Sequence, residues 1–280
     1  MLSYRHAYHA GNFADVMKHV VLTALLRYLT RKEAALCYID THAGAGAYDL
    51  GSEYAQKTGE SNLGIAKLWS RKNAPEAVRD YLALVHQFNS APGLSKYPGS
   101  PWFAATLLRP QDRLVLCEMH STDFPLLKTM FIKDRRVHCH LEDGYRFSAG
   151  LMPPIERRGL VLMDPSYELA GEYDAAIATI AKLHLKFSTG TYALWYPILD
   201  ENRSAALRRQ LEQHPIRDVL HLALRVADKN SQPGMYGSGM IIINPPWTLR
   251  AEMESALAFL AAELGTSRGA AFEIEQWVEE

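Results

Sequence analysis

What most limits the folds open to this chain is a set of seven short apolar runs, most of them closed by an acid, a proline or a turn. They fall at residues 36–40, 114–118, 137–141, 159–163, 192–196, 219–226 and 240–243. Runs this short, lacking a polar face, fit strands buried on both sides. Helical patterns at 16–29, 173–186 and 202–213 lie between them or precede them. Strands alternating with helices predict an α/β fold with a mainly parallel sheet covered on both faces. Only the polar, glycine-rich stretch 227–239 separates the last two runs, which predicts an antiparallel hairpin at the sheet edge. Residues 50–110 break the alternation. There, 65–69 and 77–88 read as helices, and 90–93 and 97–101 as loops. The expectation is a single domain over 1–280 with an inserted helical subdomain at 50–110.

Composition narrows the function class. At 280 residues and 48% hydrophobic, the chain can bury a core without staples. With 30 Lys+Arg against 31 Asp+Glu, it lacks the strongly basic balance of the simplest nucleic-acid binders. A local basic face is still available, since residues 1–36 hold Arg5, Lys18, Arg27, Arg31 and Lys32 against Asp15 and Glu33. Cys37, Cys117 and Cys139 form no C-x-x-C pair, which argues against a disulfide framework or a cysteine zinc site. No apolar h-region opens the chain and no apolar stretch approaches the roughly 20 residues of a membrane span, so a soluble cytoplasmic protein is expected.

Asp40 ends the first run, and Thr41-His42-Ala43-Gly44-Ala45-Gly46 follows it. Glycines in such a turn let backbone N–H groups approach a ligand. A dinucleotide site needs a third glycine three residues on, where Asp49 stands, and an acid about 20 residues further. Glu118 comes 72 positions after Gly46 (118 − 46), so NAD is a poor reading. The same geometry suits S-adenosylmethionine. Its methionyl end would lie near Asp40 and the turn, its ribose at Glu118 and its adenine amine at Asp143. Each acid alone reads equally well as a helix or turn cap; three at successive strand ends make a constellation.

The fourth strand end reads Asp164-Pro165-Ser166-Tyr167. Amino-group methyltransferases use Asp/Asn-Pro-Pro-aromatic at this place. An adenine amine delocalises its lone pair into the ring and is a weak nucleophile. A carboxylate accepting one N–H and a proline-fixed carbonyl accepting the other would localise that pair. The aromatic ring would stack on the base. Ser166 replaces the usual second proline and returns an N–H to the loop. Asn244-Pro245-Pro246-Trp247 matches the pattern better by letters but follows the seventh strand, so a structural turn is expected there. Trp195, Tyr196 and Trp247 are expected to be packing residues.

Several blocks carry a resemblance to a known family. They are Y-R-H-x-x-H-A-G-N-x-x-D-V-x-K-H at 4–19, D-T-H-A-G-A-G at 40–46, Y-P-G-S-P at 97–101, E-x-H at 118–120, D-G at 143–144, D-P-x-Y-E at 164–168, A-L-W-Y-P at 193–197 and S-G-M-I-x-I-N-P-P-W at 238–247. Together they resemble the bacterial 23S rRNA adenine-N6 methyltransferase J family over essentially the whole chain, the departure being Ser166. The resemblance implies a class I methyltransferase fold, a Rossmann-like seven-stranded sheet with a helical insertion after strand 1. It implies S-adenosylmethionine-dependent N6 methylation of one adenine in 23S rRNA, protein-free or an early precursor, by a monomer without metal or membrane. It implies cofactor contacts from His19, His42, Ser100, Glu118, Asp143, Gly144 and Asp164, and catalysis by Asp164 with Pro165 and Tyr167. Tyr4 and Lys18 would lie on the substrate side. Of His19, His42 and Ser100, it is His42, placed inside the glycine turn, that points to a ligand from the residues alone. His19 alone reads as a surface or core histidine, and Ser100 rests on the resemblance. The target adenine must leave its stack, which RNA hairpin loops and bulges permit cheaply.

The alternatives are a DNA adenine-N6 methyltransferase or a protein for use of external DNA, a metal-dependent nuclease using His6, His9, His19, Asp40 and His42, and a nucleic-acid binder without chemistry. Methyl incorporation into RNA against duplex DNA, metal content and turnover discriminate among them.

Overall fold

The computed structural model describes residues 5–90, 93–169, 171–200, 202–229 and 234–279. A 3-10 turn at His6–Tyr8 leads into α1 (Phe13–Leu29). Asn12 caps α1: its side chain accepts the Asp15 N–H at 2.9 Å. Asp15 is thereby left to use its carboxylate elsewhere. Every residue of α1 from Ala14 to Leu26 is buried, including Asp15, Lys18 and His19.

The strands follow in chain order: β1 (Cys37–Asp40), β2 (Ala47–Asp49), β3 (Lys96–Pro98), β4 (Arg113–Cys117), β5 (Val137–His140), β6 (Gly159–Met163), β7 (Thr191–Ile198), β8 (Val219–Arg225), β9 (Gly237–Ile243) and β10 (Ala271–Val278). Eight of them form the main sheet in the order β10-β8-β9-β7-β6-β1-β4-β5. β5, β4, β1, β6 and β7 run parallel, while β9 is antiparallel to both β7 and β8. From β1 the chain builds outward first through β4 and β5, then through β6 and β7. The C-terminal ends of β1, β4, β5 and β6 therefore share one rim, at the point where the order reverses. This is the class I methyltransferase fold.

Two expectations about the sheet need correction. The sheet has eight strands, not seven. β10 reads Ala-Phe-Glu-Ile-Glu-Gln-Trp-Val, in which Glu273, Glu275 and Gln276 interrupt the apolar residues and Trp277 alone is buried, so it presents no apolar run. The antiparallel pairing of the last two runs is present, but β10, not this pair, takes the edge. β9 lies between β7 and β8 and is buried throughout.

Between β1 and β4 lie α2 (Glu53–Thr58), a 3-10 turn, α3 (Ile65–Leu68), α4 (Glu76–Phe88) and α5 (Ser100–Leu107). The short β2–β3 pair joins the two ends of this stretch. The expected loop at 97–101 is instead the end of β3 and the start of α5, because a proline is tolerated at a strand edge and in a helix's first turn. The remaining helices are α6 (Asp123–Met130), α7 (Gly144–Leu151), α8 (Glu172–Lys186), α9 (Arg203–Leu211) and α10 (Leu249–Leu264). Among the described residues no helix is long and apolar enough to cross a membrane.

Candidate active site

The shared strand rim opens into a cavity of about 310 Å³. Lys18, His19, His42, Ser100, Glu118, Asp143, Gly144 and Asp164 all line it, although they come from six separate segments of sequence.

The turn after β1 forms the cavity floor. Gly44 and Gly46 have φ of +60° and +80°, left-handed values that suit glycine. A Cβ on Gly44 would lie 2.2 Å from the Tyr48 hydroxyl oxygen. Gly144 opens α7 against this turn, where a Cβ would lie 2.1 Å from the Thr41 carbonyl oxygen. Asp40, expected beside the ligand, is instead fully buried behind the turn. One of its oxygens accepts from Tyr38 (2.9 Å) and Ser100 (2.7 Å) hydroxyls, and the other from the His42 N–H at 3.2 Å. Burial pushes its carboxyl up to about 6, with those hydroxyl donors holding it lower than burial alone would.

Glu118 leaves β4 and accepts the Gly44 N–H at 2.7 Å and the His120 N–H at 2.6 Å, one on each oxygen. Burial raises its carboxyl against these two donors. Asp143 caps α7, with Oδ1 accepting the Tyr145 and Arg146 N–H groups at 2.9 and 3.3 Å. No described residue bonds its Oδ2. His42 lies edge-on to Tyr145 at 5.0 Å, and burial lowers its imidazole to about 4, so it is neutral near pH 7. His19 is 1% exposed, and burial, helped by the neighbouring Lys18 charge, lowers its pKa well below the ordinary value.

The hydrogen of His19 can be placed by counting donors. Its Nδ1 meets the Tyr97 hydroxyl at 2.8 Å, and Tyr97 meets the Tyr81 hydroxyl at 3.0 Å. If Tyr81 donates to Tyr97 and Tyr97 to Nδ1, both phenolic protons have an acceptor. The imidazole then carries its hydrogen on Nε2, a buried atom with no partner among the described residues. The Tyr145 hydroxyl, also on the cavity wall, is a second such atom.

Opposite stands a chain of charges. Lys18 Nζ donates to Asp164 Oδ2 at 2.5 Å and to Asp15 Oδ1 at 2.8 Å. Asp15 Oδ2 accepts from His6 Nε2 at 2.8 Å and from the Gly11 N–H at 2.9 Å. Burial would lower the Lys18 pKa, but Asp15 and Asp164 outweigh it and hold the ammonium charged. Burial alone would raise Asp15, yet His6 and Lys18 hold it well below the usual carboxylate range. The sequence points to Lys18 as a substrate-side residue and to His6 only as a nuclease ligand, and not to Asp15, which joins the two. The available signal was an acid and a lysine three apart on an otherwise apolar helix, where one face holds both.

The remaining residues fall elsewhere. Tyr4 lies outside the described residues. Pro165 is buried and Ser166 lines the cavity. Tyr167 has φ +55°, donates its hydroxyl to the Trp195 carbonyl at 2.6 Å and packs on Tyr173 with ring centroids 4.2 Å apart. It does not line the cavity. Tyr196 is buried and Trp195 half-buried, but Trp247, expected to pack, is 83% exposed. Asn244 ends β9 beside Thr191, the first residue of β7, and so sits at the opposite end of the sheet from Asp164. The five candidate nuclease ligands do not converge. His6, His9, His19 and Asp40 bond Asp15, Glu60, Tyr97 and Tyr38 in turn, and His42 bonds Thr41. Among the described residues, the group with metal-binding spacing is His221, Glu273 and Glu275, on the β8–β10 edge.

Comparison with known proteins gives a consistent picture. A family profile described as "Ribosomal RNA large subunit methyltransferase D, RlmJ" matches residues 33–278. The chain is 44% identical over 264 residues to the ribosomal RNA large subunit methyltransferase J of Escherichia coli K12, and 43% identical over 265 residues to that of Haemophilus influenzae, covering 94% of each chain in both cases. A crystal structure of a Legionella pneumophila protein superposes with a TM-score of 0.89 at 38% identity, covering 96% of this chain and 98% of that one. A probable spermidine synthase from Corynebacterium glutamicum shares the fold alone, with a TM-score of 0.51 at 12% identity, over 93% of this chain and 74% of that one.

Proposed function

Because the chain belongs to the ribosomal RNA large subunit methyltransferase J family, we propose that it transfers a methyl group from S-adenosylmethionine to the N6 amine of an adenine in 23S rRNA. The observation that carries this reading is the placement of Asp164, backed by Lys18, on the wall of the same cavity as the acids that end β4 and precede α7.

The cavity suits the methyl donor. Two buried polar atoms on its wall, His19 Nε2 and the Tyr145 hydroxyl, lack protein partners. His19, His42, Ser100, Glu118, Asp143 and Gly144 would hold the donor, Glu118 through ribose hydroxyls and Asp143 through the adenine amine. S-adenosylmethionine supplies a methyl group already activated on a sulfonium.

The chain's own residues then have the harder task of making an aromatic amine nucleophilic. Lys18 occupies Asp164 Oδ2 and so fixes the carboxylate's orientation, and no described residue bonds Oδ1. Oδ1 accepts one N6 hydrogen and the Pro165 carbonyl accepts the second, which draws the nitrogen lone pair out of the ring. Asp164 then takes the proton that the amine must shed. Tyr167, anchored on the Trp195 carbonyl and packed on Tyr173, holds the loop that carries Asp164 and Pro165 instead of stacking on the base. Tyr4 and Lys18 complete the substrate side.

Tritiated-methyl transfer to deproteinised 23S rRNA, followed by nucleoside analysis, tests the proposal. Label in N6-methyladenosine is expected. Label in another nucleoside, or in duplex DNA rather than RNA, overturns it. Asp164→Ala should cut kcat by about 10²–10⁴-fold, the usual contribution of a placed proton acceptor.

A further inference from the structure

Beside the cavity mouth, the turn at His6–Tyr8 and α2 hold a group of aromatic and cationic side chains that the reaction just described does not use. The Arg5 guanidinium lies 4.8 Å from the centre of the Tyr54 ring and bonds the Tyr54 hydroxyl at 3.3 Å. Tyr8 meets Tyr54 edge-on, with centroids 5.1 Å apart at 82°. Lys57, one helical turn beyond Tyr54 on α2, places its ammonium 5.9 Å from the centre of the Tyr8 ring. It makes no ion pair among the described residues.

The group is tied to its surroundings and adjoins the site. Arg5 is anchored to Asp123 at 3.0 Å, and Asp123 lines the cavity, as does His6 next to Arg5. Glu60 ties His9 at 2.8 Å and Asn12 at 2.9 Å, clamping the turn onto the insertion. The Thr58 hydroxyl donates to the Tyr8 carbonyl. Tyr54 nevertheless remains 40% exposed. An aromatic ring held in water with a cation stacked on it exposes apolar area that packing does not require.

We infer that Tyr54, with Arg5 and Lys57, forms a platform on which an unpaired RNA nucleotide next to the target adenine stacks, while Lys57 meets its phosphate. The inference rests on the RNA-methylation reading above. When an adenine swings out of a loop into the cavity, its neighbours lose their stacking partners. A flat ring capped by a guanidinium replaces that partner without regard to sequence. Lys57, which makes no ion pair among the described residues, gives the patch charge for a polyanion although the chain as a whole is near neutral, while Arg5 is already paired with Asp123. The platform thus acts in substrate binding, not in the chemical step.

The experiment measures steady-state methylation and direct binding of in-vitro-transcribed 23S rRNA by the full chain. Tyr54→Ala should raise the KM for RNA by about tenfold, the loss expected from one stacked base, with kcat and S-adenosylmethionine affinity unchanged. Tyr54→Phe keeps the ring, loses the hydroxyl and should stay within about twofold of wild type. Lys57→Ala, on an exposed position, should flatten the slope of log K against log salt by about 0.7, the loss of one phosphate contact on a single strand. Wild-type KM and salt slope in both the Tyr54→Ala and Lys57→Ala variants overturn the platform alone, as does a fall in kcat at unchanged KM. A wild-type protein that methylates no RNA overturns the platform together with the reading it rests on.

Discussion

Asp40 keeps a carboxylate fully buried, with three internal donors and, among the described residues, no cation bonded to it. Its pKa rises from 3.8 to about 6, with burial the largest cause. The folded protein therefore binds more protons than the unfolded chain between these values, and this group's contribution to stability falls as pH rises from about 4 to 6. The full shift is worth on the order of 3 kcal/mol. In Asp40→Asn the loss disappears, so the stability difference, variant minus wild type, should grow over that interval and level off above it. Urea denaturation at a series of pH values reads it directly; a flat difference would mean that Asp40 does not titrate there. Asp15, whose pKa is depressed, acts with the opposite sign, and its stabilisation is lost as pH falls. The role of Asp40 was hidden from the sequence for a simple reason. An acid at a strand end looks the same whether it faces the ligand or lies behind the turn. The Lys18–Asp164 bond likewise spans 146 residues, and no local spacing announces it.

The elements that build the rim were more legible than their partners. A continuous apolar run has one economical fate, a strand buried on both faces, and β1, β4 and β6 follow it. β10 escapes that logic because Glu273, Glu275 and Gln276 interrupt its apolar residues, which its edge position permits. The start of α7 carries a constraint visible only once β1 is beside it. Alanine is a better helix former than glycine by about 1 kcal/mol, so Gly144→Ala looks stabilising by propensity. Yet the added Cβ would stand 2.1 Å from the Thr41 carbonyl oxygen and 2.6 Å from Thr41 Cα, both backbone atoms of the ligand turn. Sterics should win, prising α7 and its Asp143 cap away from the turn. The expected result is S-adenosylmethionine binding weakened by at least about tenfold in calorimetry, since the clash costs more than the 1.4 kcal/mol that a factor of ten represents. Unchanged affinity would show that the turn can yield without losing its grip on the ligand.

At the scale of the whole molecule, strand direction separates chemistry from support. The parallel strands deliver Glu118 and Asp164 to one end of the sheet, and antiparallel β9 returns Asn244 to the other. Two near-identical letter patterns, Asp-Pro-Ser-Tyr and Asn-Pro-Pro-Trp, thus meet different fates, and strand polarity decides between them where local sequence cannot. Asn244 Nδ2 donates to the Ser188 and Gly190 carbonyls at 2.7 and 2.6 Å, and its φ of +52° is a left-handed value that asparagine tolerates better than most residues. Asn244→Ala loses both bonds and meets the conformational penalty, so a destabilisation of about 1–3 kcal/mol is expected. Its kcat and KM for RNA methylation, measured below the melting transition, should match the wild type. Asp164→Ala should behave inversely, with activity lost and only a smaller change in stability. A folded Asn244→Ala protein with collapsed kcat would move the reacting amine to the far end of the sheet and leave the Lys18–Asp164 pair without a catalytic purpose.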